Sequence, residues 1–178
     1  MKITYVLLMC IFVQASANAQ DYCKRLKKED LGDKTMFDYS SPFNPQKIPA
    51  VRVKRSYSTD PDNPSDNFFM IFQIIGDLDN IYNKTPEGGQ TEKDEKKLVV
   101  EFEDKSKLTE ESIQVSHDVT EDKMQSIRYV YYPLEETNLK DFTAKKIIKF
   151  SLAGYEQAVP ADSATAIQQY VICMKALK

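Results

Sequence analysis

The sequence predicts a mainly β protein, an antiparallel β-sandwich or barrel-like domain with one C-terminal α-helix packed on it. Three observations predict it. Apolar and polar side chains alternate through several short segments, the period of two that a half-buried strand requires. Short polar turns separate neighbouring segments, which favours antiparallel pairing, and no regular exchange of strands with helices is present to build a parallel sheet. After Pro160 the apolar period lengthens to steps of three and four residues, the spacing of one helix face.

The elements follow in order. Lys2 precedes the apolar run Ile3 to Val13, which is too short for a bilayer core that needs about 20 apolar residues. Ala15-Ser16-Ala17-Asn18-Ala19 then offers small side chains at alternate positions, as a signal peptidase demands. The reading is a leader over 1–19 cleaved after Ala19, with Ala17 as the alternative. Leu7-Leu8-Met9-Cys10 superficially resembles a lipobox, but Met9 is too bulky and apolar sequence continues past Cys10, so a soluble product without a membrane anchor is expected.

The remaining residues, 20–178, suffice for one domain with its own core. Tyr22 to Asp33 reads as a charged, solvated terminal segment holding the basic cluster Lys24-Arg25-Leu26-Lys27-Lys28. Ser41-Pro42-Phe43-Asn44-Pro45 and Ile48-Pro49 interrupt regular structure. Val51 to Tyr57 alternates as a strand, and Thr59 to Asn67 is a turn rich in aspartate and proline. Phe68 to Ile75 is apolar on both faces and reads as a central strand covered on two sides. Thr85 to Lys97, almost wholly polar with Gly88-Gly89, reads as a loop.

Leu98, Val100 and Phe102 then alternate with Val99, Glu101 and Glu103. The turn Asp104-Lys105-Ser106-Lys107 leads to a further strand in which Ile113, Val115 and His117 share one face. Gln125 to Tyr132 is β-branched and aromatic and ends at Pro133. A helical turn is expected around Leu139 to Phe142, and Lys146 to Leu152 forms a strand with Ile148, Phe150 and Leu152 inward. The terminal helix spans 162–177, with Asp162 or Ser163 as its cap and Ile167, Tyr170, Val171, Met174 and Leu177 on its buried face. The sum is six or seven strands.

Cysteine arithmetic adds a covalent link. Loss of Cys10 with the leader leaves Cys23 and Cys173, an even pair in an oxidising compartment. A bridge between them closes most of the chain and, in the chain-entropy model, contributes about 4 to 5 kcal/mol before any strain.

Function classes are narrowed mostly by exclusion. The 24 basic side chains, Lys2 of the leader among them, and 27 acidic ones leave the exported part with a net charge of about −4, which argues against nucleic acid as a partner. One histidine means that any Ser-His-Asp or Cys-His arrangement must use His117. Its neighbours Ser116 and Asp118 point to the other face of a strand, and no Gly-x-Ser-x-Gly elbow occurs, so His117 reads as structural or exposed. No His-x-x-x-His or Cys-x-x-Cys spacing marks a metal, and Asp60, Asp62 and Asp66 read as a solvated loop without the glycine and terminal glutamate of an EF-hand. No catalytic residue and no cofactor is implied. Tyr129, Tyr131 and Tyr132 read as core or cross-strand packing rather than a ligand surface. Asn83-Lys84-Thr85 matches a glycosylation sequon.

The order of Cys23, Phe37-Asp38-Tyr39-Ser40-Ser41-Pro42, Leu98-Val99-Val100-Glu101-Phe102-Glu103-Asp104, the segment Phe142 to Leu152 and a helix bearing Cys173 resembles a group of short exported Bacteroidetes proteins of unknown function. The resemblance implies a β-rich secreted domain and brings no catalytic residues. It departs from that group at Lys105, where a glycine is expected. The resulting expectation is a secreted or periplasmic binding or interaction domain, non-enzymatic, with a protein or small-molecule ligand. A lipocalin-like carrier is the alternative, lacking the Gly-x-Trp signature because the chain has no tryptophan. A carboxylate-dependent hydrolase is the third reading.

Overall fold

Phe68 to Ile75 lies at the heart of β4 (Asp66–Asp77), and its two apolar faces have different fates. Met70, Phe72 and Ile74 point into the main core, while Ile71 and Gln73 are buried on the opposite face. The computed structural model describes residues 22–32, 34–40, 51–58, 60–62, 64–77, 96–119 and 125–177. The leader over 1–19, the proline segment 41–49, the sequon at Asn83 and most of the polar loop 85–97 lie outside the described residues.

β4 pairs antiparallel with β3 (Val51–Ser58) on one side and β8 (Gln125–Pro133) on the other. β2 (Lys34–Ser40) and β1 (Lys27–Asp30) continue beyond β3, and β7 (Ser116–Val119) flanks β8, giving a six-stranded sheet in the order β1-β2-β3-β4-β8-β7. The second sheet is built from β5 (Lys97–Phe102), β6 (Lys107–Glu111), β9 (Ile147–Leu152) and β10 (Tyr155–Ala158), in the order β10-β9-β5-β6. Every pairing is antiparallel, so the sandwich-like architecture expected from the short turns is the one observed.

Between the sheets Phe72 meets Phe150 at 5.2 Å between ring centres, and Phe102 of β5 meets Phe142 of the helical segment Glu136–Ala144 at 5.5 Å. Val53, Val100, Leu98 and Leu152 are wholly shielded from water. Each such side chain contributes about 1.5–3 kcal/mol relative to exposure, which makes this layer the main source of stability.

Two longer helices among the described residues complete the fold. α1 (Glu136–Ala144) extends the expected turn around Leu139 to Phe142 to nine residues and buries Phe142. α2 (Ala161–Ala176) packs on β3, β9 and α1 through Ile167, Tyr170, Val171 and Met174. Its cap is Pro160, whose φ of −57° suits a helix start, rather than Asp162 or Ser163. Asp162 instead accepts a bond from the adjacent Ser163 N–H at 2.9 Å.

Cys23, in a helical turn over 22–24, is disulfide-bonded to Cys173 on α2, with 5.3 Å between their Cα atoms. Tyr22 sets its ring edge-on to Tyr170 at 5.5 Å. At the far end of α2, Arg55 of β3 donates to the carbonyls of Met174 and Leu177, the latter at 2.8 Å, and grips Asp66 with two bonds of 2.9 and 2.6 Å. A cation there adds to the single bond that Met174 C=O accepts from Leu177 N–H, supplies a donor to Leu177 C=O and offsets the negative end of the helix dipole.

Three local expectations are corrected. The described residues hold ten strands rather than six or seven, because β1, β2 and β10 are recruited by pairing although their sequences alternate weakly, and because the strand expected through Ile113, Val115 and His117 is split: Ile113 and Val115 lie in the irregular crossing between β6 and β7, and only His117 is on a strand. The solvated segment Tyr22 to Asp33 in fact contributes β1, all of whose side chains stay exposed. In β9 it is Ile147, not Ile148, that shares the core face with Phe150 and Leu152. A register shift beside Glu101 and Phe102 pairs Phe102 with Ile147 and interrupts the strict alternation.

Candidate functional site

The β5–β6 hairpin explains where one sheet ends. Phe102 N–H donates to Ser106 C=O at 3.0 Å and Lys105 N–H to Phe102 C=O at 2.9 Å, so the turn is tight. Lys105 carries the strain with φ 68°, the left-handed region that favours glycine. Asp104 holds the turn by accepting from Ser106 N–H at 3.0 Å and from its hydroxyl, and these bonds keep the Asp104 carboxyl below the usual carboxylate range. Lys145, the residue after α1, reaches Asp104 and Asp141 at 3.2 Å each, and both carboxylates push its ammonium pKa up.

From this turn β6 runs as the outermost strand of the second sheet. Its register with β5 places Leu108 opposite Val100 and Glu110 opposite Leu98, so both side chains lean toward the space between the sheets. At Ser112 the chain turns through a second left-handed residue, φ 66°, and crosses to β7 of the other sheet. Among the described residues, the crossing leaves the sandwich open along β6.

The opening is a cleft of about 790 Å³ bounded by β6, the crossing segment, the end of β8 and the start of α1. That volume falls in the range of about 300–1,000 Å³ usual for ligand sites. Leu108, Ile113, Val130 and Tyr132 supply apolar surface at its base, continuous with the core. Glu110, Glu111, Glu135 and Asp141 supply carboxylates, and among the described residues no lysine, arginine or histidine lines it. Asp141 is offset by Lys145, and Glu111 lies 3.8 Å from Lys97.

Tyr132 joins base to rim. Its ring contacts Phe72 and Phe142, and its hydroxyl accepts a bond from Asn138 Nδ2 at 3.1 Å. Burial pushes the phenol pKa up; the Asn138 bond opposes the shift, and the negative charges of Glu110, Glu135 and Asp141 add to it. Asn138 also accepts from Glu135 N–H at 3.0 Å and donates to Pro133 C=O at 3.0 Å, fixing the start of α1 against the end of β8.

The residues singled out from sequence are dispersed. Tyr132 faces the core and the cleft; Tyr129 and Tyr131 meet edge-on at 5.7 Å on the other face of β8, where Tyr131 also meets Phe69, and Tyr131, largely exposed, lines the cleft as well. His117 is exposed on β7 and borders a smaller recess of about 330 Å³ with Lys96 and Arg128. No serine or cysteine is among the described residues lining that recess, and the Arg128 guanidinium lies over the Tyr155 ring at 4.8 Å. Asp60 accepts from Asp62 N–H at 2.9 Å while Asp66 is held by Arg55, so the three aspartates serve separate local roles. Among the described residues no group of three or more His, Cys, Asp or Glu is arranged to hold a metal ion. Cys23 and Cys173 are brought together as expected.

The cleft was not visible in sequence because its walls come from two separate stretches, 108–116 and 130–141, with no shared spacing. The one usable signal was the acidic end of β6, Glu110-Glu111, beside a turn that needs a left-handed residue. Comparison with protein-family models, with curated proteins and with solved structures returns no match.

Proposed function

We propose that the exported chain is a non-enzymatic binding domain that works outside the cytoplasm, in the periplasm or beyond, and engages its partner through the cleft beside β6. The observation that carries this reading is the cleft itself, a concavity with an apolar base and an acidic rim at the open margin of a cross-linked sandwich. The Cys23–Cys173 bridge supports the compartment, since such links persist where thiols are oxidised. Among the described residues no helix is long and apolar enough to cross a membrane. The packed interior, filled by Phe72, Phe102 and Phe150, favours a surface cleft over the enclosed cavity of a lipocalin-like carrier.

A carboxylate-dependent hydrolase is the second reading, favoured by the acidic side chains that share the cleft. Glu110 and Glu135 are exposed, however, without the burial that converts a carboxyl into a general acid at neutral pH.

The test compares retention of extracytoplasmic proteins by the wild-type chain and by a Glu110→Lys/Glu135→Lys variant. Loss of specific partners in the variant is the expected result. Identical retention by both removes the cleft from function.

A further inference from the structure

We infer that the cleft takes an extended, lysine- or arginine-rich peptide segment of a partner protein, added as a fifth strand along β6. The inference rests on the binding reading and names the chemistry of the partner.

The backbone geometry comes from the hairpin. Phe102 and Ser106 form its closing hydrogen-bonded pair, so by alternation Val100/Leu108 and Leu98/Glu110 also bond to each other across the ladder. Thr109 and Glu111 therefore turn their N–H and C=O groups away from β5, along an edge that bonds to no described strand. An incoming strand sits about 4.8 Å from β6. The cleft opens beside that edge, lined by Leu108, Glu110 and Glu111 of β6 and by the Val130–Pro133 end of β8.

Charge selects the strand. Glu110 and Glu135 have no lysine or arginine within ion-pair distance among the described residues, in contrast to Glu111 and Asp141. Both line the cleft with Tyr132, whose phenol pKa, raised first by burial, their charges push further up. Exposed sheet edges invite pairing, and proteins guard them with charge. A second copy presenting the same β6 edge meets Glu110 and Glu111 with its own carboxylates and is repelled. A strand with positive side chains on the face turned toward Glu110 and Glu135 is instead attracted, and its main chain completes the bonds of Thr109 and Glu111.

The test uses the purified oxidised chain and an end-blocked peptide of alternating lysine and threonine about six residues long, the usual strand length. A glutamate/threonine peptide and spermidine serve as comparators. The inference expects saturable binding of the lysine peptide that weakens with added salt. It also expects slowing of hydrogen exchange at the Thr109 and Glu111 amides by roughly tenfold or more. Glu110→Gln/Glu135→Gln should weaken binding by roughly tenfold, the loss of one to two charge contacts.

Equal binding of the glutamate peptide, or binding without protection of those two amides, overturns strand addition. Spermidine binding as tightly as the peptide would mark the site as one for small polyamines and overturn it as well. Salt-sensitive self-association abolished by the double substitution would assign the edge to the basic Lys24–Lys28 segment of another copy, also against the inference. If native partners are lost in the Glu110→Lys/Glu135→Lys variant while the lysine peptide fails to bind, the strand fails and the binding reading stands.

Discussion

Around α2 the layers are joined by several kinds of bond, while along β6 they are barely joined at all. The helix carries a disulfide to the N-terminal turn, an aromatic contact to Tyr22, and an arginine clamp from β3 across its last carbonyls. At β6 the sheet ends at a strand whose side chains are mostly exposed, and the two sheets part over a cleft. The contrast separates two uses of the same sandwich. Bonds that resist unfolding are concentrated between residues 22–24, β3 and α2, whereas the cleft opens beside β6, the edge strand of the second sheet.

The largest expected effect tests the anchored side. Cys23→Ser/Cys173→Ser removes a link spanning 150 residues of sequence and should destabilise the protein by about 4 to 5 kcal/mol in the chain-entropy model. Urea unfolding of the oxidised wild type against the variant measures it. A loss below about 1 kcal/mol would mean that packing alone holds α2, and the contrast with β6 would lose its covalent half.

Arg55 is the next lever. Arg55→Met leaves the carbonyls of Met174 and Leu177 and the Asp66 carboxylate without their cation, at a cost of about 2 kcal/mol. Combining it with Asp66→Asn in a double-mutant cycle separates the helix-end bonds from the ion pair. The pair also has a pH signature. Arg55 lowers the pKa of Asp66, so its contribution is complete above the ordinary carboxylate range near pH 4 and is lost as pH falls through the lowered value. Because Asp66 is half exposed, the amount is about 1 kcal/mol or less. Stability of the wild type should therefore fall more steeply below about pH 4 than that of Asp66→Asn. Parallel curves would show that the pair adds nothing.

On the open side a substitution should stabilise. Lys105 sits at φ 68° in the β5–β6 turn and its contact with Glu101 is long, at 3.9 Å. Lys105→Gly relieves a conformation that costs a side-chain-bearing residue about 1 kcal/mol and should raise stability by roughly that amount. No gain in the unfolding midpoint would mean that the ion pair offsets the strain.

This position also shows how much was legible from residues alone. The residues alone place a turn at Asp104 to Lys107; a glycine at Lys105 is expected only from the resemblance to the exported group, and the hairpin holds Lys105 in the left-handed conformation. Likewise β3, β5 and α2 follow from alternation or helical spacing because each buries one defined face, β4 follows from an apolar run buried on both faces, and β8 from its β-branched and aromatic composition. β1 was missed because Lys27-Lys28-Glu29-Asp30 buries nothing and exists through its pairing with β2. The inward turn of Ile147 depends on a bulge opposite Glu101, which no local pattern encodes. The cleft escaped for a related reason: Glu110, Val130 and Glu135 become neighbours only when the two sheets are placed, and their spacing in sequence follows no motif.

The smallest effect is the sharpest probe of that cleft. Glu110→Gln removes an exposed charge without altering packing, so stability should stay within about 0.5 kcal/mol of wild type. The Tyr132 hydroxyl should respond nonetheless, because Glu110 is one of the charges that raise its pKa. Burial is the larger cause, so the phenol should still titrate above an ordinary tyrosine in the variant, at a lower pH than in the wild type. Alkaline titration of a carbon-13-labelled tyrosine ring, followed by magnetic resonance, reads both quantities at one atom. An unchanged Tyr132 midpoint would place the Glu110 charge away from the base of the cleft and remove the field that is to attract a basic strand.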